Sequence, residues 1–221
     1  ELNKAVYIDS DTVINDDIAK LYSVDIGDAM FGAVRDTFAG KNTILAHYIE
    51  NVVGIERNEY VNSGVLLMNL DKIRQVHLAD RFLKLMAEYH FDSVAPDQDY
   101  INAMCAKEIY FLDKEWNVMP NKGGEYIARP KLIHYNLFDK PWHYSEIPYE
   151  EYFWQYAAES GFYPLLIKQR KQYGDSERKA DRENLKKLLA RAENIADGDG
   201  VKFSDVVGSG SFVGDNILEE I

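Results

Sequence analysis

Short apolar runs alternate with helical periodicities along most of this chain. Runs rich in β-branched or aromatic residues predict strands. The run at 65–70 is the most apolar, so we expect it at the centre of a sheet, and the run at 5–8 indicates a strand buried on both faces. Because helices separate most of the strands, the pattern predicts an α/β fold rather than an α+β fold. The predicted strands cover residues 5–8, 29–34, 65–70, 109–112 and 131–134.

Capping residues mark where the intervening helices begin. Asp16 and Asp17 precede one helix, and Asn42 precedes a longer one. Asp71 is expected to cap a helix whose apolar positions indicate two short segments or one kinked segment. Pro96 suits a first helical turn. The predicted helices cover residues 18–22, 44–53, 73–86, 96–106, 149–160 and 176–192.

The first predicted strand ends in two carboxylates, Asp9 and Asp11. A strand that leaves its pleat can aim two such side chains at one point, where they offer hard oxygen ligands to a divalent cation. Ligands of open α/β sheets lie beyond the carboxyl ends of the strands, which favours a metal site. The alternative is a solvated turn, since Asp and Ser are common turn residues.

Composition bounds the domain organisation. The 221 residues are 46% hydrophobic, enough for one sizeable core and an appended helical piece. We expect a main domain over 1–145, a helical extension over 146–196 and a loop or disordered tail over 197–221. The single cysteine, Cys105, precludes an intrachain disulfide. The sequence shows no signal-peptide pattern and no apolar run that would span a bilayer, so we expect a cytoplasmic protein.

Charge is distributed unevenly. The formal net charge of −12 disfavours nucleic acid as a partner, because duplex binding depends on basic side chains. Residues 168–191 contain nine basic and four acidic side chains, a net charge of +5. We expect this segment to form a solvated helix at the domain edge. The alternative is peripheral contact with the anionic inner face of a membrane.

Five sequence blocks stand out along the first two thirds of the chain: YIDSD at 7–11, NSGVLLMNL at 62–70, DQD at 97–99, LDKEWN at 112–117 and IHYNLFDKPWH at 133–143. In this order they resemble family 8 of the retaining glycosyltransferases, which includes bacterial lipooligosaccharide galactosyl- and glucosyltransferases and the glycogenins. The resemblance covers about residues 4–145. It implies a GT-A fold, a UDP-sugar donor, a divalent metal cofactor, and transfer of glucose or galactose to a saccharide or lipid-linked acceptor, as in lipopolysaccharide biosynthesis.

The resemblance assigns a metal and phosphate end to the site. Asp9 and Asp11 would hold the ion together with His134, and an imidazole beside carboxylates suits Mn²⁺ better than the alternative, Mg²⁺. Lys140 would offer a point charge to the donor phosphates. Asp9 and Ser10 would border the donor.

A sugar end follows from the same blocks. Asn62 and Gly64 would lie near the donor sugar, with a strand bulge as the structural explanation of the glycine. Asp97 and Gln98 would contact the sugar as the catalytic pair, although helix capping explains them equally well. Asp36 would face the sugar and acceptor cleft. We expect Asp99 and Asp113 to be structural.

Retention of configuration needs two inversions or attack from the same face. A double displacement requires a nucleophile, and the amide oxygen of Gln98, the one group that the resemblance places there, is a poor one. We therefore favour front-face attack by the acceptor hydroxyl.

Two features depart from the family pattern. Leu137 stands where much of the family has a glycine that approaches the diphosphate. The strand–helix units that bind uracil and ribose in the family precede the Asp-x-Asp motif and are absent from this sequence. We therefore expect an N-terminal part to be missing and donor binding by the chain alone to be weak or absent.

Two other functions stay open. A haloacid dehalogenase-type, Mg²⁺-dependent phosphatase would use Asp9 as phosphoryl acceptor and Asp11 as general acid, with a loosely matching acidic motif at 212–216. A non-catalytic sugar-nucleotide-binding or scaffold protein is the third alternative.

Overall fold

The computed structural model of the chain describes residues 1–120 and 125–207. Its main sheet has four strands in the order β1-β4-β3-β5, and β2 pairs with β6 in a separate two-stranded sheet. The strands are β1 (Lys4–Ile8), β2 (Thr12–Ile14), β3 (Phe31–Arg35), β4 (Val61–Asn69), β5 (Ile109–Phe111) and β6 (Leu132–His134).

The main sheet is mixed. β4 runs antiparallel to both β1 and β3, and β3 runs parallel to β5. The predicted central position of the most apolar strand is confirmed. The prediction that the first strand is buried on both faces is wrong: β1 pairs with β4 alone among the described strands, and Tyr7 is 47% exposed. An apolar run identifies a strand, but its burial depends on neighbours that the run does not encode.

Ten α-helices are described in these two segments. They are α1 (Ile18–Tyr22), α2 (Thr37–Lys41), α3 (Thr43–Tyr48), α4 (Leu70–Gln75), α5 (Leu78–Tyr89), α6 (Pro96–Cys105), α7 (Glu150–Glu159), α8 (Tyr163–Gln172), α9 (Asp175–Asp197) and α10 (Phe203–Val206). α3 continues into a π-helical turn, Ile49–Val53. None of them has an apolar stretch long enough to cross a bilayer.

Local capping rules succeed at two helix starts and fail at one. Asp17 caps α1, and the Asn42 side chain accepts hydrogen bonds from two backbone N–H groups of α3. The predicted cap Asp71 is wrong, because Asn69 at the end of β4 reaches the Lys72 N–H first, at 3.1 Å. Asp71 lies in the first turn and pairs with Arg74. Of the two forms predicted for this region, two separate helices, α4 and α5, are observed.

The segment expected to be a loop after residue 197 contains helix α10. Phe203 is fully buried there against Phe91 and Tyr100, with ring centroids 4.3 and 4.8 Å apart. Burial of one aromatic ring explains why a segment rich in Gly, Ser and Asp is ordered at this point. Residues 208–221 lie outside the described part of the chain, and so does the motif at 212–216.

The helical C-terminal part packs onto the sheet domain. Ala192 and Ala196 of α9 are buried in the main core, which also contains Tyr48 and Val52. A second cluster joins β2 and β6 to the region before α7 through Ile133, Tyr135 and Tyr149. β6 therefore packs into two clusters, Ile133 into this one and Leu132 into a third one with Val65, and it ends in His134.

Candidate metal and sugar site

Two strand pairings bring three ligand atoms together. β1 ends beside the start of β4, where the Asp9 N–H donates to the Gly64 carbonyl at 2.9 Å. In the small sheet Thr12 is the register partner of His134, which places the histidine next to Asp11. One ligand atom each from Asp9, Asp11 and His134 lies within 4.8 Å of the others. The predicted group of metal ligands is thus assembled by the fold.

The atoms that face each other suit a divalent cation. His134 Nε2 lies 3.5 Å from Asp9 Oδ2 and 3.3 Å from Asp11 Oδ1. His134 is buried, and both carboxylates are half-buried. Two carboxylates and one imidazole make a mixed oxygen and nitrogen donor set, which fits Mn²⁺.

Gly64 provides the room for this arrangement. A β-carbon at this position would lie 2.2 Å from His134 Cε1 and 2.9 Å from Asp9 Oδ2. The groups that closely approach the Gly64 backbone are therefore the candidate metal ligands His134 and Asp9. The strand bulge is also observed, since the register between β3 and β4 shifts between Ala33 and Val34.

Both carboxylates are held by a second partner. The Tyr7 hydroxyl donates to Asp9 Oδ1 at 2.7 Å, and this hydrogen bond raises the pKa of Tyr7 to about 12. Lys140 Nζ donates to Asp11 Oδ2 and to the Tyr135 carbonyl. Burial alone would raise the pKa of Asp11, but the neighbouring His134 and Lys140 outweigh it and hold that pKa well below its usual range. One oxygen of each aspartate is left to face His134.

A chain of amides sets the orientation of His134. The Gly64 N–H donates to the Asn62 side chain at 3.0 Å, so the accepting atom is Asn62 Oδ1. The Asn117 side chain contacts this same oxygen at 2.8 Å, so its atom there is the donor Nδ2. Asn117 Oδ1 therefore faces His134 Nδ1, 3.1 Å away, so the proton is on Nδ1. Nε2 then faces the carboxylates, as the donor of an ion-paired imidazolium or as a ligand of a cation.

The same amide chain extends to the sugar end. Asn62 Nδ2 and the Ser63 N–H both donate to Gln98 Oε1, at 3.0 and 3.1 Å. Gln98 Nε2 lies 3.4 Å from Asp36 Oδ2. Asp36 also caps α2 by accepting from the Ala39 N–H, and burial raises the pKa of its carboxyl group. Hydrogen bonds thus connect the predicted metal end of the site to the predicted sugar end.

A cleft of about 260 Å³ opens along this network. Most of the predicted site residues line it, and α9 adds Leu185 and Leu188. Ser10 is exposed next to it, and Lys140 reaches the site through Asp11 rather than through the cleft wall. The predicted residues that line the cleft are Asp9, Asp11, Asp36, Asn62, Asp97, Gln98 and His134.

Capping does not explain Asp97 and Gln98, the predicted catalytic pair. α6 begins without a side-chain cap, and its preceding residue is Ala95. Asp97 Oδ2 accepts from the Ser63 hydroxyl at 2.8 Å, across to β4. Asp99, expected to be structural, is fully buried and accepts from Tyr48, Tyr60 and Ser93.

Three contributors to the site were not identified from the sequence. Asn117, Tyr7 and Ser63 all lie inside the family-like blocks, but without a specific role. The signal that could have identified Asn117 is a polar residue among the apolar neighbours Trp116 and Val118, which predicts a buried amide with a partner.

Leu137 keeps the backbone conformation of a glycine. Its φ is +52°, in the left-handed region that side chains with a β-carbon rarely adopt. The side chain is 46% exposed and lies at the cleft. Leu137 therefore stands in a backbone conformation that favours glycine, the residue that much of the family has there.

Comparisons with known proteins agree with this geometry. The sequence profile described as glycosyl transferase family 8 matches residues 1–146. A putative glycosyltransferase of Haemophilus influenzae is 29% identical over 150 residues, which cover 64% of this chain and 44% of that protein. The lipopolysaccharide 1,2-glucosyltransferase of Escherichia coli is 25% identical over 155 residues, which cover 64% of this chain and 45% of that enzyme. The chain thus spans less than half the length of these two relatives.

Solved structures show the same fold. The bifunctional glycosyltransferase WbbM superposes with a TM-score of 0.67 at 22% identity, over 77% of this chain and 35% of its own. The galactosyltransferase LgtC, in complex with donor and acceptor sugar analogues, superposes with a TM-score of 0.62 at 24% identity, over 73% and 63%. The expected GT-A fold is confirmed.

The family match covers the residues that build the site. It ends at residue 146, after His134 and Lys140 and before helix α7. It argues against the phosphatase alternative, which leaves the Asn62, Gln98 and His134 network unexplained. The chain belongs to glycosyltransferase family 8.

Proposed function

We propose that this protein transfers a hexose, glucose or galactose, from a UDP-sugar to a hydroxyl group of a saccharide or lipid-linked acceptor, with retention of configuration. The observation that carries the proposal is the continuous network from the three metal-binding candidates to Asp36 at the far end of the cleft. A metal end and a polar sugar end in one cleft match the two halves of a nucleotide-sugar donor.

The relatives support the class of reaction. One is named as a lipopolysaccharide glucosyltransferase, and a structural neighbour is a galactosyltransferase with donor and acceptor analogues bound. Both are longer than this chain, so the donor and acceptor of the whole protein are part of the proposal.

Asp9, Asp11 and His134 would hold the divalent ion. We propose Mn²⁺, since the imidazole is a softer ligand than the all-oxygen set that Mg²⁺ prefers, with Mg²⁺ as the alternative. When bound, such an ion acts as a Lewis acid on the departing diphosphate, an effect of several kcal/mol.

Lys140 would add positive charge at the phosphates. It is held beside Asp11 by hydrogen bonds to Asp11 Oδ2 and to the Tyr135 carbonyl. Because the chain carries a net charge of −12, a fixed local cation is needed to attract an anionic donor. Its ammonium group contacts Oδ2 of Asp11, whose other oxygen faces His134 in the candidate metal site.

The state of Gln98 supports front-face attack. Its Oε1 atom already accepts two hydrogen bonds, from Asn62 Nδ2 and the Ser63 N–H, so its lone pairs are engaged. The acceptor hydroxyl would attack the anomeric carbon from the side of the leaving group as the bond to the diphosphate oxygen breaks. That oxygen would take the hydroxyl proton, so no protein base is required.

Hydrolysis of UDP-sugars tests the proposal. We expect the chain to release UDP slowly from UDP-glucose or UDP-galactose with Mn²⁺ and not with EDTA, and Asp11→Ala to abolish the reaction. Asp113→Asn is the matched control and should keep the activity, because Asp113, although expected to be structural, is exposed and its side chain does not cap the helical turn that follows it. Turnover of p-nitrophenyl phosphate with Mg²⁺ would support the phosphatase instead.

Thermal unfolding separates an inactive binder from a scaffold. A ligand at a hundredfold excess over its Kd stabilises the folded state by about 2.7 kcal/mol. Stabilisation by Mn²⁺ with UDP, without hydrolysis, would identify a sugar-nucleotide-binding protein. No stabilisation by Mn²⁺, with or without UDP, and no hydrolysis would leave only the scaffold function.

A further inference from the structure

The loop between β6 and α7 carries Lys140 in a short turn. The Lys140 carbonyl accepts hydrogen bonds from the N–H groups of His143, at 3.0 Å, and Tyr144, at 2.9 Å. The backbone of Lys140 is therefore tied to these two residues. A contact that fixes them also fixes the point from which the Lys140 side chain reaches Asp11 and the Tyr135 carbonyl.

His143 packs against the end of helix α8. Its ring stacks on the Tyr173 ring, with centroids 4.0 Å apart and an angle of 7° between the planes. The side-chain nitrogen of Gln169, in the last turn of α8, lies 3.2 Å from His143 Nε2. Tyr173 follows the last residue of α8 directly. The turn after Lys140 thus contacts the junction of α8 and α9.

Asp181 of α9 joins two tyrosines. Its Oδ2 atom accepts from the Tyr144 hydroxyl at 2.6 Å and from the Tyr173 hydroxyl at 2.5 Å. Burial and these hydrogen bonds raise the pKa of both tyrosines, that of Tyr173 to about 12, so both hydroxyls are donors at neutral pH. Hydrogen bonds to a carboxylate are shorter and stronger than those between neutral groups. We call this set of residues the loop clamp: His143, Tyr144, Tyr173 and Asp181.

We propose that the loop clamp positions Lys140, so that its ammonium group is held at the phosphate end of the site. The inference rests on the proposed function, in which Lys140 meets the donor phosphates. The clamp acts through the backbone of the turn, and its members are positioning residues. Such positioning matters because a displacement of about 1 Å in an active site can lower a reaction rate about a hundredfold.

The clamp gives the C-terminal helices a part in the site that the family match does not cover. The match ends at residue 146, so Tyr173 and Asp181 lie beyond it, whereas Lys140 lies within it. The structural alternative is that these contacts only fix α8 and α9 to the domain. The two explanations differ in one respect: only the positioning role makes the effect of a clamp variant on phosphate binding depend on Lys140.

UDP binding in the presence of Mn²⁺, measured by calorimetry, tests the proposal. We expect Asp181→Ala to weaken UDP binding about tenfold, because a charged hydrogen bond to phosphate is misaligned. Loss of a negative charge would by itself favour an anionic ligand, so the change in charge opposes the expected effect. Glu193→Ala, at an exposed carboxylate on the same helix, is the matched control and should bind UDP as the parent does.

A double-mutant cycle shows whether the clamp acts through Lys140. Lys140→Met removes the ammonium group and keeps a long side chain. In that background we expect Asp181→Ala to change the UDP affinity less than about twofold, because the group that it positions is gone. Equal losses of affinity in the two backgrounds would overturn the proposal and assign Asp181 a structural role.

A second variant removes the same hydrogen bonds from the donor side, in case Asp181→Ala is poorly folded. Tyr144→Phe with Tyr173→Phe keeps both rings, including the stack on His143, and removes both hydroxyls. We expect this variant also to weaken UDP binding. Tyr22→Phe with Tyr110→Phe, at two exposed tyrosines, should bind UDP as the parent does.

Hydrogen exchange gives a readout that needs neither nucleotide nor metal. We expect the backbone N–H groups of His143 and Tyr144 to exchange faster in Asp181→Ala than in the parent or in Glu193→Ala, since the turn opens more often. Unchanged exchange would overturn the proposal, and so would parental UDP affinity in Asp181→Ala. A parent that bound no UDP would count against the proposed function, and the exchange rates would still decide whether the clamp fixes the turn.

Discussion

At the residue scale, the site depends on which atom of each side chain is already engaged. Tyr7 donates a hydrogen bond to one oxygen of Asp9, and Lys140 donates one to an oxygen of Asp11. Asn117 faces one nitrogen of His134. The remaining atoms face each other. Partners of this kind orient metal ligands and account for much of the affinity of a metal site.

Asn117 is the residue on which the orientation of His134 depends. We expect Asn117→Ala to weaken Mn²⁺ binding roughly 10- to 100-fold, because the imidazole loses the partner of Nδ1. Asn51→Ala, at an exposed asparagine on the π-helical turn, is the matched control. Calorimetric titration of Mn²⁺ measures both, and equal affinities in the two variants would contradict the assigned role.

Gly64 is required by packing against His134 and Asp9. We expect Gly64→Ala to lower the free energy of unfolding by about 1–3 kcal/mol, since the added methyl group would overlap a buried ring. It should also displace His134 and weaken Mn²⁺ binding. Gly161→Ala, where an added β-carbon meets nothing within 4 Å, should do neither. Denaturant unfolding of both variants decides the point.

Leu137 should be strained in its left-handed conformation. A residue with a β-carbon costs roughly 1–2 kcal/mol there, and glycine does not. Glycine avoids this cost, but it loses more conformational entropy on folding than alanine does, which offsets part of the difference in stability. We therefore expect Leu137→Gly to be more stable than Leu137→Ala by about 0.5–1 kcal/mol in denaturant unfolding. A more stable alanine variant would refute the strain.

At the scale of elements, local signals in the sequence identified the helices and strands but not their surroundings. Asp17 and Asn42 cap their helices as predicted, because capping involves neighbours two or three positions away. The exposure of β1 depends on which strands flank it. The role of Asn117 depends on partners 17 and 55 positions away, and such contacts have no local signature.

The metal ligands were predictable for a different reason. The strand end that carries Asp9 and Asp11 was visible in the hydrophobic pattern, whereas His134 followed from the family resemblance alone. The true constraint on Gly64 could not be predicted, because it requires the pairing that brings β6 beside β2.

Helix α6, which carries Asp97 and Gln98, is anchored by Asp99. The buried carboxylate accepts from Tyr48 at 2.7 Å, from Tyr60 at 2.5 Å and from Ser93 at 2.5 Å. We expect Asp99→Asn to lower the free energy of unfolding by about 2–3 kcal/mol, since an amide nitrogen would then face hydroxyl donors.

Asp92→Asn is the matched control for this change. Asp92 is exposed and pairs loosely with Arg191 at 3.5 Å, so its replacement should cost about 0.5 kcal/mol or less. Denaturant unfolding compares the two variants. Equal losses of stability would contradict an anchoring role for Asp99.

At the scale of the whole molecule, the C-terminal helices and the family domain act as one structure. α9 packs its alanines into the main core and lines the cleft, although it follows the matched residues. Charge is distributed unevenly over the molecule: residues 168–191 carry a net charge of +5, in a chain whose net charge is −12. The sequence showed this asymmetry of charge, but the place of α9 beside the cleft depended on tertiary packing.

Binding of a divalent ion by Asp9, Asp11 and His134 can be measured by titration with Mn²⁺. The electron paramagnetic resonance signal of free Mn²⁺ disappears when the ion binds. We predict that the chain binds a single Mn²⁺, that UDP tightens the binding, and that Asp11→Ala loses it while Asp113→Asn retains it. An unchanged Mn²⁺ signal in the presence of the chain, or binding of Mn²⁺ by Asp11→Ala as tight as that of the parent, would show that these three residues are not a metal site.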